Sequence, residues 1–484
     1  MVKLTDTNTR GPLVWLFTGL FAILLAARLC HADILWADED YHLAAAIQVL
    51  YGKIPYRDFW YDKPFLNIAA CLLFAAKTGW LLRLASAIYA TLLCGLAYVF
   101  ASQVWTRREG YAAALLSAFS LTFYFPAPTL TLEPDTLMML PHLAAVYLAW
   151  RGRPLLAGAM AGIATWFNVK GLFVLAACAA FGWGGLPILA LGFLIPNAIA
   201  LGWLAGEHAL AGYWQQVWEW GFLYSRSPRP VSAGFKSLLN WTGFHAALGL
   251  VTAVYFTRKS AERRAFGIWF AVSFAGTAIG LRFAPRYLDQ LLPPLWILGA
   301  RGAVLLRSES KPRVLRAALT IALGIALAIP TVRFGPRYFL LARDELAGVP
   351  HRWIDVLMDQ DSQAAARLIA SSSQPGDTVF IWGYRPGLIA YTRLAVGSRI
   401  WDSQPLTGVP ADRHFLSDQP VVPLWAAENR RELIASRPTF VADGLSFFNP
   451  KLDPHRFPEV AHWLENYCVI GSTTMTVVYR WCGP

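Results

Sequence analysis

Charged side chains are scarce in this chain of 484 residues, because Asp, Glu, Lys and Arg together make up only 15% of it. Hydrophobic residues make up 56% of the chain, and the mean hydropathy is +0.41. A soluble domain needs more polar surface than this composition supplies. The scarcity of charge therefore excludes an ordinary soluble protein and predicts a protein embedded in a membrane.

Sequence motifs for several kinds of chemistry are also missing. The C-terminal part has no glycine-rich phosphate loop of the GxGxxG or GxxxxGK type, so nucleotide binding is not predicted. No HExxH, CxxC or GxSxG motif occurs in the chain. The formal net charge of +12 comes from short basic clusters between apolar runs, not from a basic face of a soluble fold. A nucleic-acid partner is therefore not expected.

Cysteine is rare as well, with six residues in the whole chain. Four of them lie in or near apolar runs and are expected to be buried and free: Cys30, Cys71, Cys94 and Cys178. Cys468 and Cys482 lie near the C-terminus and could form a disulfide if that region is extracytoplasmic. Spacing alone cannot fix disulfide geometry, so the sequence leaves this pairing open.

Long apolar runs, in contrast, occupy most of the first 332 residues. A membrane-spanning helix needs about 20 apolar residues, or fewer if its ends are polar. The first run has no small-residue cleavage site and is predicted to remain as a signal anchor. About eleven spans are predicted, near 12–30, 84–105, 109–127, 135–150, 154–169, 171–184, 186–206, 242–257, 265–281, 287–306 and 315–331.

The basic clusters between these runs predict the orientation, since Lys and Arg are enriched on the cytoplasmic side. With the N-terminus inside, every cluster is cytoplasmic provided that the short run 64–76 does not cross the membrane. Residues 31–83 then form one outer loop with interfacial helices. In the alternative, where 64–76 crosses, 106–110 and 151–153 lie outside. The predicted cytoplasmic clusters are Lys3 with Arg10, 106–110, 151–153, 258–264 and 307–316.

The character of the chain changes after about residue 332, where apolar runs become short. Helix-like and strand-like segments alternate, which predicts a small α/β domain with a partly parallel sheet. We expect two domains: a transmembrane domain over 1–332 and an extracytoplasmic α/β domain over 333–484. Helices are predicted at 363–373, 424–436 and 460–467, and strands at 375–383, 438–443 and 474–481.

The outer loop contains an unusual concentration of charge in residues 36–64. Ionisable groups beside a bilayer are costly, so they indicate a functional site. Asp38 precedes a helical pattern that Gly52 closes, and its carboxylate is a candidate for capping that helix. A carboxylate here can also act as a general base toward a hydroxyl, and Lys63 can stabilise a leaving phosphate.

Polar residues from distant parts of the chain are predicted on the same outer face. Any one of them could be an interfacial charge without a role. Their convergence on one side of the membrane favours a functional site. The residues are Glu133, Asp135, Lys170, Arg282, Arg286 and Asp289, together with the loop 213–240.

Six motifs carry a resemblance that covers most of the chain. They are the acidic motif 38–41, GKIPYRDFWYDKP (52–64), LEPDTLMM (132–139), GIATWFNVKG (162–171), RYLDQLLPPLWIL (286–298) and PGDTVFIWGYRPGLIAY (375–391). In this order they resemble the membrane-embedded C-type glycosyltransferases, which use lipid-phosphate-linked sugars. That superfamily includes the protein O-mannosyltransferases, the lipid A aminoarabinose transferases and related bacterial enzymes. The sequence departs from many relatives at Phe65, where they have a second proline, and at Arg286, where some have His.

The resemblance implies an inverting transfer of a hexosyl or pentosyl group from a polyprenyl-phosphate donor to an acceptor hydroxyl. It places the protein in the bacterial inner membrane, among membrane lipids, with a glycan, lipid or protein as acceptor. Metal use varies in the superfamily, so the resemblance leaves open whether the protein needs a divalent cation. The implied roles are catalysis by Asp38 with support from Glu39, binding of the lipid phosphate by Lys63, Arg282, Arg286 and Lys170, and acceptor or metal support by Tyr41, Asp62, Glu133 and Asp135.

Two other functions compete with this interpretation. A transporter or lipid flippase would place charges near the membrane midplane and show repeated halves, and the sequence has neither. A non-catalytic scaffold would tolerate substitutions in the acidic loop. The sequence does not identify the sugar or the acceptor.

Overall fold

The computed structural model describes residues 10–226, 230–307, 312–349 and 353–483. Lys3, residues 308–311 of the predicted loop 307–316 and residues 227–229 of the loop 213–240 lie outside this description. The described residues form two compact units. The membrane unit lies within Met1–Ala32, Trp80–Ile199 and Arg229–Val349, and the loop–tail unit lies within Asp33–Gly79, Ala200–Pro228 and Pro350–Pro484.

Helices dominate the chain, and most are rich in apolar residues with good helix propensity. A π-helical turn lies at Trp214–Glu219, and a 3-10 helix lies at Pro285–Leu291. In the part of the chain that the structure describes, the α-helices are α1 Arg10–Leu29, α2 Glu39–Leu50, α3 Leu66–Leu72, α4 Trp80–Val104, α5 Arg107–Ser120, α6 Pro126–Thr129, α7 Pro134–Trp150, α8 Pro154–Phe167, α9 Gly171–Ala179, α10 Leu186–Gly206, α11 Leu210–Tyr213, α12 Trp220–Arg226, α13 Val231–Phe244, α14 Ala246–Phe256, α15 Arg263–Ala278, α16 Leu292–Leu306, α17 Arg313–Ala347, α18 Ile354–Ala370, α19 Gly387–Thr392, α20 Gln404–Thr407, α21 Pro423–Ala435 and α22 Pro458–Leu464.

Every predicted span coincides with one or two of these helices. Within the described residues, five helical stretches are long and apolar enough to cross a membrane on their own: Gly11–Leu29, Trp80–Val104, Trp183–Gly206, Arg263–Leu281 and Arg313–Ala347. The remaining predicted spans coincide with shorter helices, so the count of eleven stays a prediction. The helix α17 continues beyond residue 332, which was the predicted end of the transmembrane domain.

The run 64–76 forms only the seven-residue helix α3. A helix of that length is about 10 Å long, whereas the hydrocarbon core is about 30 Å thick. Ala75 and Ala76 follow with φ of 54° and 48°, so the backbone turns into the left-handed region and the helix cannot continue. The short helix agrees with the expectation that this run does not cross the membrane, which stays a prediction.

The membrane unit packs its helices closely where small residues meet. Gly302 of α16 lies against the backbone of α14, and a side-chain carbon at this position would overlap the carbonyl oxygen of Val251. Glycine removes that overlap, so the two helix backbones can approach each other.

We expect Gly302→Ala to destabilise the membrane unit by about 1–3 kcal/mol, because the added methyl group forces the two helices apart. Gly249→Ala is the matched control, since position 249 lies on α14 and has open space around it. The measurement is the thermal unfolding midpoint of both variants in detergent. Equal midpoints for the two variants would contradict the close approach.

The loop–tail unit contains a five-stranded sheet of order β2-β1-β3-β5-β4. Strand β1 pairs in parallel with β2 and β3, while β5 pairs antiparallel with β3 and β4. The sheet is partly parallel, as the alternation of helices and strands predicts. The strands are β1 Thr378–Trp382, β2 Ala395–Val396, β3 Phe440–Asp443, β4 Tyr467–Ser472 and β5 Val477–Trp481.

Strand β4 was not predicted. The segment 460–467 was expected to be helical throughout, but α22 ends at Leu464 and the strand begins at Tyr467. Cys468 in β4 forms a disulfide with Cys482, which follows β5, and their Cα atoms are 5.8 Å apart. The pairing that the sequence left open is thus made, and it joins the two neighbouring strands.

Candidate active site

Asp38 immediately precedes α2, as predicted, but it does not cap that helix through its side chain. Its φ is +73°, a left-handed conformation that Asp tolerates better than most residues. The Tyr384 hydroxyl donates a hydrogen bond of 3.3 Å to Asp38 Oδ1. The capping interpretation is therefore wrong, and the carboxylate contacts the tail instead of the helix backbone. Unusual backbone conformations of this kind cluster at functional sites.

Glu39 and Asp40 begin the same helix, and both are shielded from solvent. Glu39 is buried, with 1% of its surface exposed. Asp40 keeps some exposed surface, but its Oδ1 is buried and its Oδ2 accepts a hydrogen bond of 3.0 Å from the Gly387 backbone N–H. Burial raises the pKa of the Asp40 carboxyl to about 8. Asp40 is therefore mostly protonated at neutral pH, and it was not predicted as a site residue.

Tyr41 lies within a cluster of aromatic rings. Its ring stacks on those of Tyr61 and Trp401, with centroid distances of 5.3 and 5.1 Å, and Tyr384 lies 5.6 Å away. The Asp62 backbone N–H donates to Tyr41 Oη at 3.2 Å. Tyr41 thus connects α2 to the segment that contains Asp62, and these contacts fix the course of that segment.

Lys63 follows directly, and its ammonium group forms an ion pair with Asp62 Oδ2 at 2.8 Å. The Lys63 side chain is 37% exposed, so the charge is not sealed in the protein interior. The Tyr56 hydroxyl donates to the Lys63 carbonyl at 2.7 Å and holds the backbone. The arrangement presents a cation and a neighbouring carboxylate at a partly open position, which suits binding of an anion.

Asp402 is a further carboxylate of this unit that sequence reasoning missed. It is 2% exposed, and its Oδ1 accepts a hydrogen bond of 2.8 Å from the Gln404 backbone N–H. Burial raises the pKa of the Asp402 carboxyl to about 7, and the negative charge of Asp62 acts in the same direction. No motif surrounds Asp402 in the sequence, so only the fold reveals that it belongs with Asp62 and Lys63.

The outer loop and the tail are joined by hydrogen bonds within the loop–tail unit. Gln48 Oε1 accepts from the Val396 N–H at 2.8 Å, and Lys53 Nζ donates to the Val396 carbonyl at 2.6 Å. Trp401 Nε1 donates to the Trp60 carbonyl at 2.6 Å. The tail therefore determines the conformation of the loop that contains Asp38 and Lys63.

The membrane unit holds a second cluster of charges near the start of α7. Asp135 lies in the first helical turn, where the helix dipole favours a carboxylate. It is 3% exposed and accepts from Lys170 Nζ at 2.8 Å and from Asn168 Nδ2 at 3.0 Å. Glu133, which is 1% exposed, pairs with Arg286 Nη1 at 3.5 Å. The structure thus pairs two of the predicted cations with two of the predicted carboxylates.

Two further buried groups belong to this region of the membrane unit. Arg282 is 3% exposed, so it is not a surface charge. Asp289 is 1% exposed, and neither carboxylate oxygen has a hydrogen-bond partner among the described residues. Asp289 interacts electrostatically with Asp135, Lys170 and Arg286. A buried carboxyl group without a hydrogen-bond partner is costly, so Asp289, which the sequence predicted on the outer face without a specific role, is a further candidate site residue.

The predicted site residues thus fall into two groups. The loop–tail unit contains Asp38, Glu39, Tyr41, Asp62 and Lys63, and the membrane unit contains Glu133, Asp135, Lys170, Arg282 and Arg286. Among the described residues, no group of three or more His, Cys, Asp or Glu side chains could hold a metal ion.

No protein-family model matches the sequence, and no curated protein matches it. Two solved structures of ArnT, however, share its fold, as the resemblance of the motifs predicted. The chain resembles ArnT from Cupriavidus metallidurans bound to undecaprenyl phosphate, with a TM-score of 0.58 and 14% identity over 97% of this chain and 98% of that one.

The apo state of the same ArnT gives a TM-score of 0.59 at 16% identity, with the same coverage of 97% and 98%. The archaeal oligosaccharyltransferase AglB from Archaeoglobus fulgidus, in complex with an inhibitory peptide and a dolichol-phosphate, gives 0.48 at 12% identity over 96% of this chain and 74% of that one. That weaker likeness supports no further argument. The ArnT likeness, together with the apolar helices, makes the chain a multi-pass membrane protein.

Proposed function

We propose that this protein is an integral-membrane glycosyltransferase that transfers a sugar from a polyprenyl-phosphate donor to an acceptor hydroxyl. One observation carries the proposal: the fold matches, along nearly the full length of both chains, a structure bound to undecaprenyl phosphate. The buried carboxylates and paired cations of both units support it, because acceptor activation needs a base and a leaving phosphate needs positive charge.

In the loop–tail unit, Asp38 is proposed as the residue that deprotonates or orients the acceptor hydroxyl. Its neighbour Glu39 is proposed to assist Asp38, and Tyr41 and Asp62 are proposed to position the acceptor. Lys63 is proposed to bind the lipid phosphate, because its ammonium group is partly exposed beside Asp62. A lysine is well suited to this task as a compact, strongly charged phosphate ligand.

In the membrane unit, Arg282, Arg286 and Lys170 are proposed to bind the donor phosphate. Their partners Glu133 and Asp135 would support the acceptor or a metal ion. An arginine side chain can bind a phosphate through two parallel hydrogen bonds, so Arg286 can exchange its contact with Glu133 for one with the donor.

The proposed reaction inverts the configuration of the sugar. The acceptor O–H gives its proton to the Asp38 carboxylate while the oxygen attacks the anomeric carbon from the side opposite the phosphate. The bond between the anomeric carbon and the phosphate oxygen breaks, and the electron pair leaves with polyprenyl phosphate. A nearby cation stabilises the charge that develops on that oxygen.

The proposal includes the orientation that the basic clusters predict. The N-terminus would be cytoplasmic, the transmembrane domain would cover 1–332 and the α/β domain over 333–484 would be extracytoplasmic in a bacterial inner membrane. The Cys468–Cys482 disulfide supports this side for the tail, because disulfides form in oxidising compartments.

The test is binding of undecaprenyl phosphate, followed by transfer from a panel of radiolabelled polyprenyl-phosphate sugars, with purified full-length protein. Lys63→Gln should weaken binding of undecaprenyl phosphate about 10- to 100-fold, because it removes one charged hydrogen bond. Lys77→Gln is the matched control, since Lys77 is an exposed lysine of the same unit. Lipid movement across vesicles without any transfer would favour a flippase instead, and unchanged binding by Lys63→Gln would contradict the assigned role.

A further inference from the structure

A cavity of about 610 Å³ lies in the membrane unit at the ends of α14 and α15. None of the predicted site residues lines it. Its lining combines aromatic side chains, a hydroxyl group and three cations with one acid: Trp105, Tyr255, Arg258, Lys259, Ser260, Glu262, Arg301 and Leu305. A volume of this size suits a small molecule or a headgroup and not a protein segment.

The cavity carries net positive charge. The Arg301 guanidinium is engaged with the buried carboxylate of Glu109, so these two charges offset each other. Arg258 and Lys259 then outweigh Glu262. The Tyr255 hydroxyl is buried and lies beside Ser260. The cavity therefore offers two cations and a buried hydroxyl, which together suit a phosphate group.

A groove of about 520 Å³ adjoins this cavity and shares Lys259 and Ser260 with it. One part of its lining is basic, from Arg263 and Arg264. The other part is apolar and follows one side of α15 through Gly267, Ile268 and Ala271, together with Phe256 from α14. Ile268 and Gly267 lie three and four residues before Ala271, so each is a neighbour of Ala271 on the helix surface.

We propose that the cavity and the groove together bind an anionic phospholipid, with its phosphate in the cavity and an acyl chain along α15. A free phosphate would need only the cavity. The apolar groove beside it fits hydrocarbon, and the shared Lys259 lies where a phosphate and a chain would join. Basic pockets between helix ends at a membrane surface bind acidic lipid headgroups for the same reasons. The loop 258–264 is predicted to be cytoplasmic, so the lipid would come from the inner leaflet.

The experiment uses the purified full-length protein in detergent and counts bound lipid by native mass spectrometry. The probes are phosphatidylglycerol, zwitterionic phosphatidylcholine and inorganic phosphate. The double variant Arg258→Gln with Lys259→Gln should bind phosphatidylglycerol about thirtyfold more weakly. Each basic residue near an anionic lipid surface contributes about fivefold to the binding affinity. The control is Arg108→Gln with Arg153→Gln, which removes two exposed charges that line neither the cavity nor the groove.

A second variant separates a lipid from a free phosphate. At Gly267 an added side-chain carbon would make an ordinary contact of 3.6 Å with Phe256, so Gly267→Leu fills the groove without a backbone clash. It should reduce binding of phosphatidylglycerol and leave binding of inorganic phosphate unchanged. A photoreactive phosphatidylglycerol should label residues 256–271.

Three results would overturn the proposal: equal binding of phosphatidylglycerol and phosphatidylcholine, unchanged binding by the Arg258/Lys259 variant, or inorganic phosphate competing as well as the lipid. None of these results depends on the proposed transfer reaction. Lys63→Gln should leave phosphatidylglycerol binding unchanged, so a failure here and a failure of the proposed function can be told apart.

Discussion

Asp38→Asn is expected to lower the rate of sugar transfer by about 10²- to 10⁴-fold, the usual contribution of a positioned general base. The amide keeps the size of the side chain and can still accept the hydrogen bond that Tyr384 donates. The conformation of the loop should therefore survive, while the proton acceptor is lost. The measurement is the transfer rate at saturating donor, together with the binding of undecaprenyl phosphate, which should stay within a few-fold of the unmodified protein.

The matched control for this substitution is Asp33→Asn. Asp33 is an exposed acid of the same outer loop, and its backbone carbonyl accepts a hydrogen bond from Gln363 Nε2. It should transfer sugar at the normal rate. Full activity of Asp38→Asn would show that another group takes the proton, and Asp38 would then lose its assigned role.

The second large expected effect is a fall in the free energy of unfolding with rising pH, which comes from Asp40. Its pKa is raised from the ordinary value of 3.8 to about 8, chiefly by burial. The folded protein therefore keeps a proton on Asp40 that the unfolded chain releases above about pH 4. Stability is highest where both states are protonated, and it falls by about 1.4 kcal/mol per pH unit until the folded pKa is reached. Between pH 5 and 8 the loss from this group is at most about 4 kcal/mol.

Asp40→Asn should remove most of this pH dependence, because the amide is neutral throughout the range and can still accept from the Gly387 N–H. The thermal unfolding midpoint at pH 8 should therefore be higher in the variant than in the unmodified protein, with a clearly smaller difference at pH 5. Asp58→Asn serves as the control, because Arg57 lowers the pKa of Asp58 and its titration falls below this range. An equal pH dependence in the two proteins would show that the Asp40 carboxyl is already ionised in the folded protein.

Much of the membrane unit could be predicted from the sequence, because its helices are encoded by long apolar runs that need no tertiary context. The boundaries of α1, α4 and α10 lie within a few residues of the predicted spans. The short helix α3 could be predicted not to cross because length alone decides it. Local composition was likewise enough to locate strands β1, β3 and β5.

The candidate site was predicted less completely, because burial and pairing depend on contacts between distant residues. The sequence singled out the acidic motif, but the contact of Asp38 with Tyr384 depends on the fold of the tail. Asp402 carries no local signal, and only its burial distinguishes it from other acids. Asp289 was predicted on the outer face, but its burial could not be predicted from the sequence. Strand β4 was missed because its pairing with β5 and the disulfide override a segment that begins as a helix.

The hydrogen bonds between the segment 394–401 and Gln48, Lys53 and Trp60 have a consequence for protein engineering. They make the outer loop and the C-terminal tail one structural piece, although the bonded residues lie 341 to 348 residues apart in the sequence. A chimera that takes its tail from another member of this fold must take the matching loop as well. Libraries that aim to alter acceptor choice would do best to vary both segments together.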